Sequence, residues 1–136
     1  MLKLLFLVVL ISCSACSKGL SVDLFNNSES PLVVSIGAQK FNIAPQQLKR
    51  ILLGHPSFEI HQGFVVWKYF RSLHGPQVMS DAGRSILDPV YVDRDDVIRA
   101  QVDGNGYIYI LRRDEGFPIQ DIASQPPGYP LAPSLF

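Results

Sequence analysis

From Leu20 onward the chain sets short apolar runs between clusters of turn-forming residues, and the period within the runs is two. Leu20-Ser21-Val22-Asp23-Leu24-Phe25 alternates apolar and polar positions, the pattern of a half-buried strand. Asn26-Asn27-Ser28-Glu29-Ser30-Pro31 is dense in turn formers and is formally a glycosylation acceptor at Asn26. Leu32-Val33-Val34-Ser35-Ile36, Gly37-Ala38 and Gln39-Lys40-Phe41-Asn42-Ile43 read as a hairpin closed by Ala44-Pro45. Leu48–Leu53, ended by Gly54-His55-Pro56, reads as a strand, because so short a helix is marginal. Phe58-Glu59-Ile60-His61 alternates again. After Gly63, Phe64-Val65-Val66-Trp67-Lys68-Tyr69-Phe70 is rich in aromatic and β-branched residues. That composition predicts a central strand buried on much of both faces, with Trp67 in the core.

Residues 73–88 read as a long irregular connection, broken by His74-Gly75-Pro76 and Asp81-Ala82-Gly83. Val90-Tyr91-Val92 predicts a short strand, and Asp93-Arg94-Asp95-Asp96 a charged turn. Val97–Val102 and Tyr107–Leu111, either side of Asp103-Gly104-Asn105-Gly106, form the clearest hairpin signal in the chain. Seven or eight strands at roughly ten-residue spacing predict an all-β domain over residues 20–113, a small antiparallel β-sandwich or barrel. The cysteine and tryptophan markers of antibody-type domains are absent as a set.

The pattern changes again at Asp114. Residues 114–136 hold five of the ten prolines and no Lys or Arg. Gly116-Phe117-Pro118-Ile119 and Gly128-Tyr129-Pro130-Leu131 share a Gly-aromatic-Pro-aliphatic pattern twelve residues apart. Proline at this density forbids helix and central strand, so an extended tail is expected, mobile or laid over the domain. Phe117 is expected to pack back onto the domain. Tyr129, Pro130 and Leu131 are expected to meet a partner, because a proline-stiffened segment loses little entropy on docking.

The N-terminus obeys a different pattern. The amino group and Lys3 precede eight uninterrupted apolar residues, Leu4–Ile11, and then Ser12-Cys13-Ser14-Ala15-Cys16. An apolar run this short is a signal-peptide core and falls well below the roughly 20 residues that span a bilayer. Leu10-Ile11-Ser12-Cys13 resembles the lipobox of bacterial lipoproteins. The resemblance implies a lipid on the cysteine sulfur, removal of residues 1–12, and acylation of the new amino terminus. Several acyl chains then hold the protein stably where one would not. Cys16 is the alternative, with a signal of residues 1–15; cleavage there would also remove the thiol of Cys13. Residues 13–19 become a lipidated tether. Ser14 and Ser17 each follow a candidate cysteine, and in that family such a serine goes with delivery to the outer membrane, facing the periplasm.

Composition narrows the function further. Lys and Arg number 12 against 12 Asp and Glu, so no basic stripe suggests nucleic acid. Both cysteines lie in the anchor segment, which leaves the domain without a disulfide, a Cys-based metal site or a thiol nucleophile. Asp103-Gly104-Asn105-Gly106 resembles the middle of an EF-hand calcium loop, with Asp103 third, Asn105 fifth and Gly106 sixth. The twelfth position, which must be a bidentate carboxylate, is Arg112, so a hairpin turn is the better reading. Asp93, Asp95 and Asp96 have Arg94 and Arg99 nearby to neutralise them, and His55, His61 and His74 share no metal-type spacing. His74, Ser80-Asp81 and Ser85 lie in one connection, but no Gly-x-Ser-x-Gly elbow sets a serine beside a base. The expectation is a non-catalytic, membrane-anchored envelope lipoprotein that binds a protein or the cell wall and needs no cofactor, metal or catalytic residue. The alternative is a small envelope hydrolase or metal-dependent enzyme, which would need those groups converging in one concave pocket.

Overall fold

A computed structural model describes residues 20–53 and 55–134 of the chain. Residues 1–19, on which the expected signal peptide, Cys13, Cys16 and the tether fall, lie outside the described residues, as do Gly54, Leu135 and Phe136. The described chain is all-β. Its strands are β1 (Leu20–Asn27), β2 (Leu32–Ile36), β3 (Gln39–Ile43), β4 (Leu48–Leu53), β5 (Phe58–Gln62), β6 (Val65–Tyr69), β7 (Gln77–Met79), β8 (Ser85–Leu87), β9 (Ile98–Asp103) and β10 (Ile108–Ile110). Two four-stranded sheets, ordered β10-β9-β1-β4 and β3-β2-β5-β6, pack face to face, and β7-β8 forms a separate hairpin. Every pair is antiparallel except β1 with β9, which run parallel.

The period of two sorts the side chains. Val22 and Leu24 of β1, Ile51 of β4, Ile98, Ala100 and Val102 of β9, and Ile108 and Ile110 of β10 point inward from one sheet. Leu32, Val34 and Ile36, Phe58 and Ile60, and Trp67 and Tyr69 meet them from the other. Two hairpins close through two-residue turns that begin with glycine, Gly37-Ala38 and Gly63-Phe64, the former linking Ile36 to Gln39 and the latter Gln62 to Val65. Gly37 and Gly63 have φ of 56° and 58°, the positive value such a turn demands at its first central position.

Asn26, fully buried, organises the far end of β1. Its amide donates to the carbonyls of Ser30 and Ile43, and its Oδ1 accepts from the backbone N–H and hydroxyl of Ser28. The glycosylation acceptor read in the sequence is therefore sealed inside the folded domain, with both amide protons in use.

Three expectations need correction. The apolar run at 64–70 is an edge strand, β6, rather than a central one: Trp67 and Tyr69 face inward while Val66 and Phe70 are exposed. Apolar residues on its outer phase hid the alternation. The connection at 73–88 contains β7 and β8, because the breakers Asp81-Ala82-Gly83 form the hairpin turn itself, closed by Ser80 and Arg84. Val90–Val92 forms no strand beyond a single bridge from Val92 to Ile98; Asp88 Oδ1 accepts the Val90 N–H and bends the chain into a turn. The small antiparallel β-sandwich expected from the sequence is the fold found, with one parallel pair, β1–β9, within it.

Residues 114–134 wrap the sandwich in two stages. First they cross the outer face of the β1-β9 sheet. Phe117 stacks on Phe25 with ring centroids 4.8 Å apart, and the Arg99 guanidinium lies 4.9 Å from its centroid. Ile119 joins Tyr109 and Leu111 in a second apolar cluster, and its N–H donates to Oε1 of buried Gln101 at 2.8 Å. Then they turn around the β10 edge. The Gln125 side chain imitates a strand, accepting from the Ile110 N–H at 2.8 Å and donating to the Ile110 carbonyl at 3.0 Å. Leu131 exchanges both backbone hydrogen bonds with Ile108, and the Ser134 N–H donates to the Lys68 carbonyl. The strap thus pairs with β10 of one sheet and β6 of the other.

Candidate functional site

The residues singled out for chemistry are used separately and locally. Asp93 Oδ1 accepts the N–H groups of Asp95 and Val97 at 2.8 and 2.9 Å, so it caps its own turn, in which Asp96 takes a φ of 58°. Asp103 accepts from the amides of Asn27 and Gln101, and Asn105 accepts the Tyr107 N–H. In the loop that resembled a calcium site, Asp103 thus ties β9 to the end of β1, and Asn105 holds the β9–β10 turn. The Ser80 hydroxyl accepts the Arg84 N–H, and the Ser85 hydroxyl donates to Gln77. His74 is hydrogen-bonded to Gly75 O and Arg71, His61 pairs with Glu59 at 3.0 Å, and His55 lies against Gly37. Among the described residues no group of three or more His, Cys, Asp or Glu is arranged to hold a metal ion.

Tyr129, Pro130 and Leu131, expected to face a partner, sit in the strap. Tyr129 packs against the main core, and its hydroxyl donates to the His74 carbonyl at 2.6 Å. Leu131 also packs on that core, while Pro130 is exposed. The physical reason lies in two open sheet edges, β10 and β6, which leave backbone groups that the tail is the nearest segment to satisfy.

Two tyrosines carry an electrostatic consequence. Burial pushes the Tyr69 hydroxyl well above the ordinary tyrosine range, and it donates to the Gly106 carbonyl. Burial also raises Tyr129, against the opposing charge of Arg71. An unfolded tyrosine ionises near pH 10. The folded groups hold their protons to higher pH, so the stability linked to them is complete below about pH 10 and is lost as pH climbs towards the raised folded values. Urea midpoints should therefore fall steadily above about pH 10, and less steeply in Tyr69→Phe. Midpoints flat across that range would contradict the burial of both hydroxyls.

A concave feature lies at the end of the sandwich where β1 begins. It is an open cleft of about 830 Å³ lined by Ser21, Leu52, Ile86, Leu87, Pro89 and Val92, with Asp93, Asp95, Asp96 and Arg113. Leu52, the outward neighbour of inward Ile51, is 58 % exposed, and Ile86 of the β7–β8 hairpin is 44 % exposed. Sequence reasoning missed this apolar floor. A signal was present: Ile51-Leu52-Leu53 places an apolar residue on the outward phase of β4, two positions from Arg50, which is charged and pairs with Asp23.

Comparison with known proteins adds no assignment: no protein-family model, curated protein or solved structure matches the chain. The fold defines a small two-sheet β-sandwich with a wrapped C-terminal strap.

Proposed function

We propose that the chain is a lipid-anchored, non-catalytic module of a bacterial cell envelope, held on a membrane through Cys13 or Cys16 and presenting its sandwich to an envelope protein or the cell wall. The observation that carries this reading is that the reactive side chains are each engaged in a local hydrogen bond. His74, Ser80, Ser85 and the aspartates each stabilise a different turn or strand end, whereas hydrolysis needs a nucleophile, a base and an orienting group within hydrogen-bond reach. The lipobox-like residues supply the anchor, and the outer membrane, facing the periplasm, is the destination that Ser14 or Ser17 favours. No described helix is long and apolar enough to cross a membrane.

Mass spectrometry of the mature protein is expected to find an acylated N-terminal Cys13, or else Cys16. Cys13→Ser and Cys16→Ser then separate the two, since only loss of the lipidated residue should release the protein from membrane fractions. An unmodified mature protein beginning at another residue would remove the anchor from the proposal.

A further inference from the structure

We infer that the β1-start end of the sandwich rests on the lipid surface, with Leu52, Val78 and Ile86 entering the headgroup zone of a zwitterionic bilayer. The inference rests on the anchor reading and says which face the anchor presses down. Ser21, a residue of the cleft, is the second residue of β1. A fully extended chain spans at most about 3.6 Å per residue, so Ser21 can lie no more than about 18 Å from a lipidated Cys16, or about 29 Å from Cys13. The opposite end of the sandwich is farther by the length of β1, whose 8 residues rise about 25 Å at roughly 3.3 Å each. That opposite end carries Phe64, beside Gln62, which reaches Ser28 just past the end of β1. Where Cys16 carries the lipid, the tether is shorter than β1 is long and turns the cleft end to the membrane.

What the tether delivers there is apolar. Leu52 and Ile86 are exposed in the cleft, and Val78 pairs with Ile86 across the hairpin, so the two share one face. Exposed aliphatic residues grouped beside an acyl anchor gain from the interface, where lipid and apolar side chains leave water together. The polar part of the cleft sets the lipid preference. Three carboxylates, Asp93, Asp95 and Asp96, accompany one guanidinium, Arg113. Arg50 lies within electrostatic reach of Asp93 and Asp95, and Arg94 stands in the same turn, so both signs of charge meet here, as a zwitterionic headgroup requires.

The test uses the full lipidated protein reconstituted in vesicles of phosphatidylethanolamine and phosphatidylcholine whose acyl chains are brominated near the headgroup. A reporter is added as Leu52→Trp, Ile86→Trp or Phe64→Trp, all at exposed positions, with Trp67 as a constant background. The emission added at Leu52→Trp and Ile86→Trp is expected to shift to the blue and to be quenched by bromine. The emission added at Phe64→Trp should do neither. Acylated protein that floats with the vesicles, yet shows no quenching at either cleft position, overturns the inference and leaves the anchor standing. So does quenching at Phe64→Trp alone. A blue shift that depends on protein density and not on bromine marks contact with a second copy, and also overturns it. Protein that is neither acylated nor vesicle-bound removes the anchor reading and this inference with it.

Discussion

Replacing Trp67 by alanine is expected to remove about 3–5 kcal/mol of stability, the range for truncating a buried aromatic. The side chain is 5 % exposed although its strand is an edge strand. It is covered from the opposite sheet by the β9–β10 turn. Gly106 sits on the indole with φ of 82°, and a Cβ built there would meet the ring at 2.7 Å. The neighbouring Tyr69 hydroxyl donates to the Gly106 carbonyl, so one turn is held by two side chains of β6. Gly106→Ala should itself cost about 2–5 kcal/mol, the sum of left-handed backbone strain and overpacking. The double variant distinguishes this packing from two independent effects. Once Trp67 is gone the added methyl has room, so the second substitution should cost only the backbone part, about 1–2 kcal/mol. Urea unfolding of the four proteins measures the coupling. Full additivity would show that Gly106 and Trp67 do not meet. A Trp67→Ala loss within about 0.5 kcal/mol, the usual size of a surface effect, would place the indole in solvent.

The fold was largely legible because a period of two is a local signal. Val22 and Leu24 against Ser21 and Asp23, or Phe58 and Ile60 against Glu59 and His61, declare the buried face without any tertiary information. Gly37-Ala38 and Asp103–Gly106 announced their hairpins through turn chemistry alone. Pairing between distant strands has no such local mark. Nothing in Leu20–Asn27 tells that its partners are β4 on one side and, in parallel, β9 on the other. Position within a sheet was equally hidden. Phe64–Phe70 looks central by composition, and only the topology reveals an edge.

The candidate site was less legible for a related reason. The cleft joins Ser21, Leu52, Ile86 and Arg113, which are far apart in sequence and ordinary one at a time. The residues that did look chemical were conspicuous because Asp, Asn, Ser and Gly are turn residues as well as ligands and nucleophiles. Asp93 and Ser80 illustrate the ambiguity: each oxygen satisfies a backbone N–H of its own turn. Sequence identifies the donor and acceptor atoms, but what they bond to depends on the turn they occupy.

Deleting residues 124–136 is expected to lower the melting temperature by about 10 °C or more, equivalent to about 2 kcal/mol at 4–8 °C per kcal/mol for a small domain. The segment supplies the Gln125 clasp on Ile110, the Leu131 pair with Ile108, the Ser134 bond to Lys68 and the Tyr129 bond to His74. Tyr129 and Leu131 also close on the main core, and full burial of such a side chain is worth about 1.5–3 kcal/mol before ordering entropy is subtracted. The prolines lower that entropic cost, since the unfolded segment is already restricted. Without the segment, Ile108 and Ile110 lose partners for backbone N–H and carbonyl groups at an edge of the sheet, and an edge left bare invites pairing with another chain. The truncated domain should therefore aggregate on heating as well as melt earlier. Phe117 and Ile119 precede the cut, so the first stage of the strap should stay in place, and Phe117→Ala in the truncated background should lower the melting temperature again. A truncated domain with unchanged melting temperature and solubility would show that Tyr129, Pro130 and Leu131 do not brace the fold. If that domain also lost a partner captured by crosslinking in intact cells, the tail would be the docking segment that its prolines first suggested.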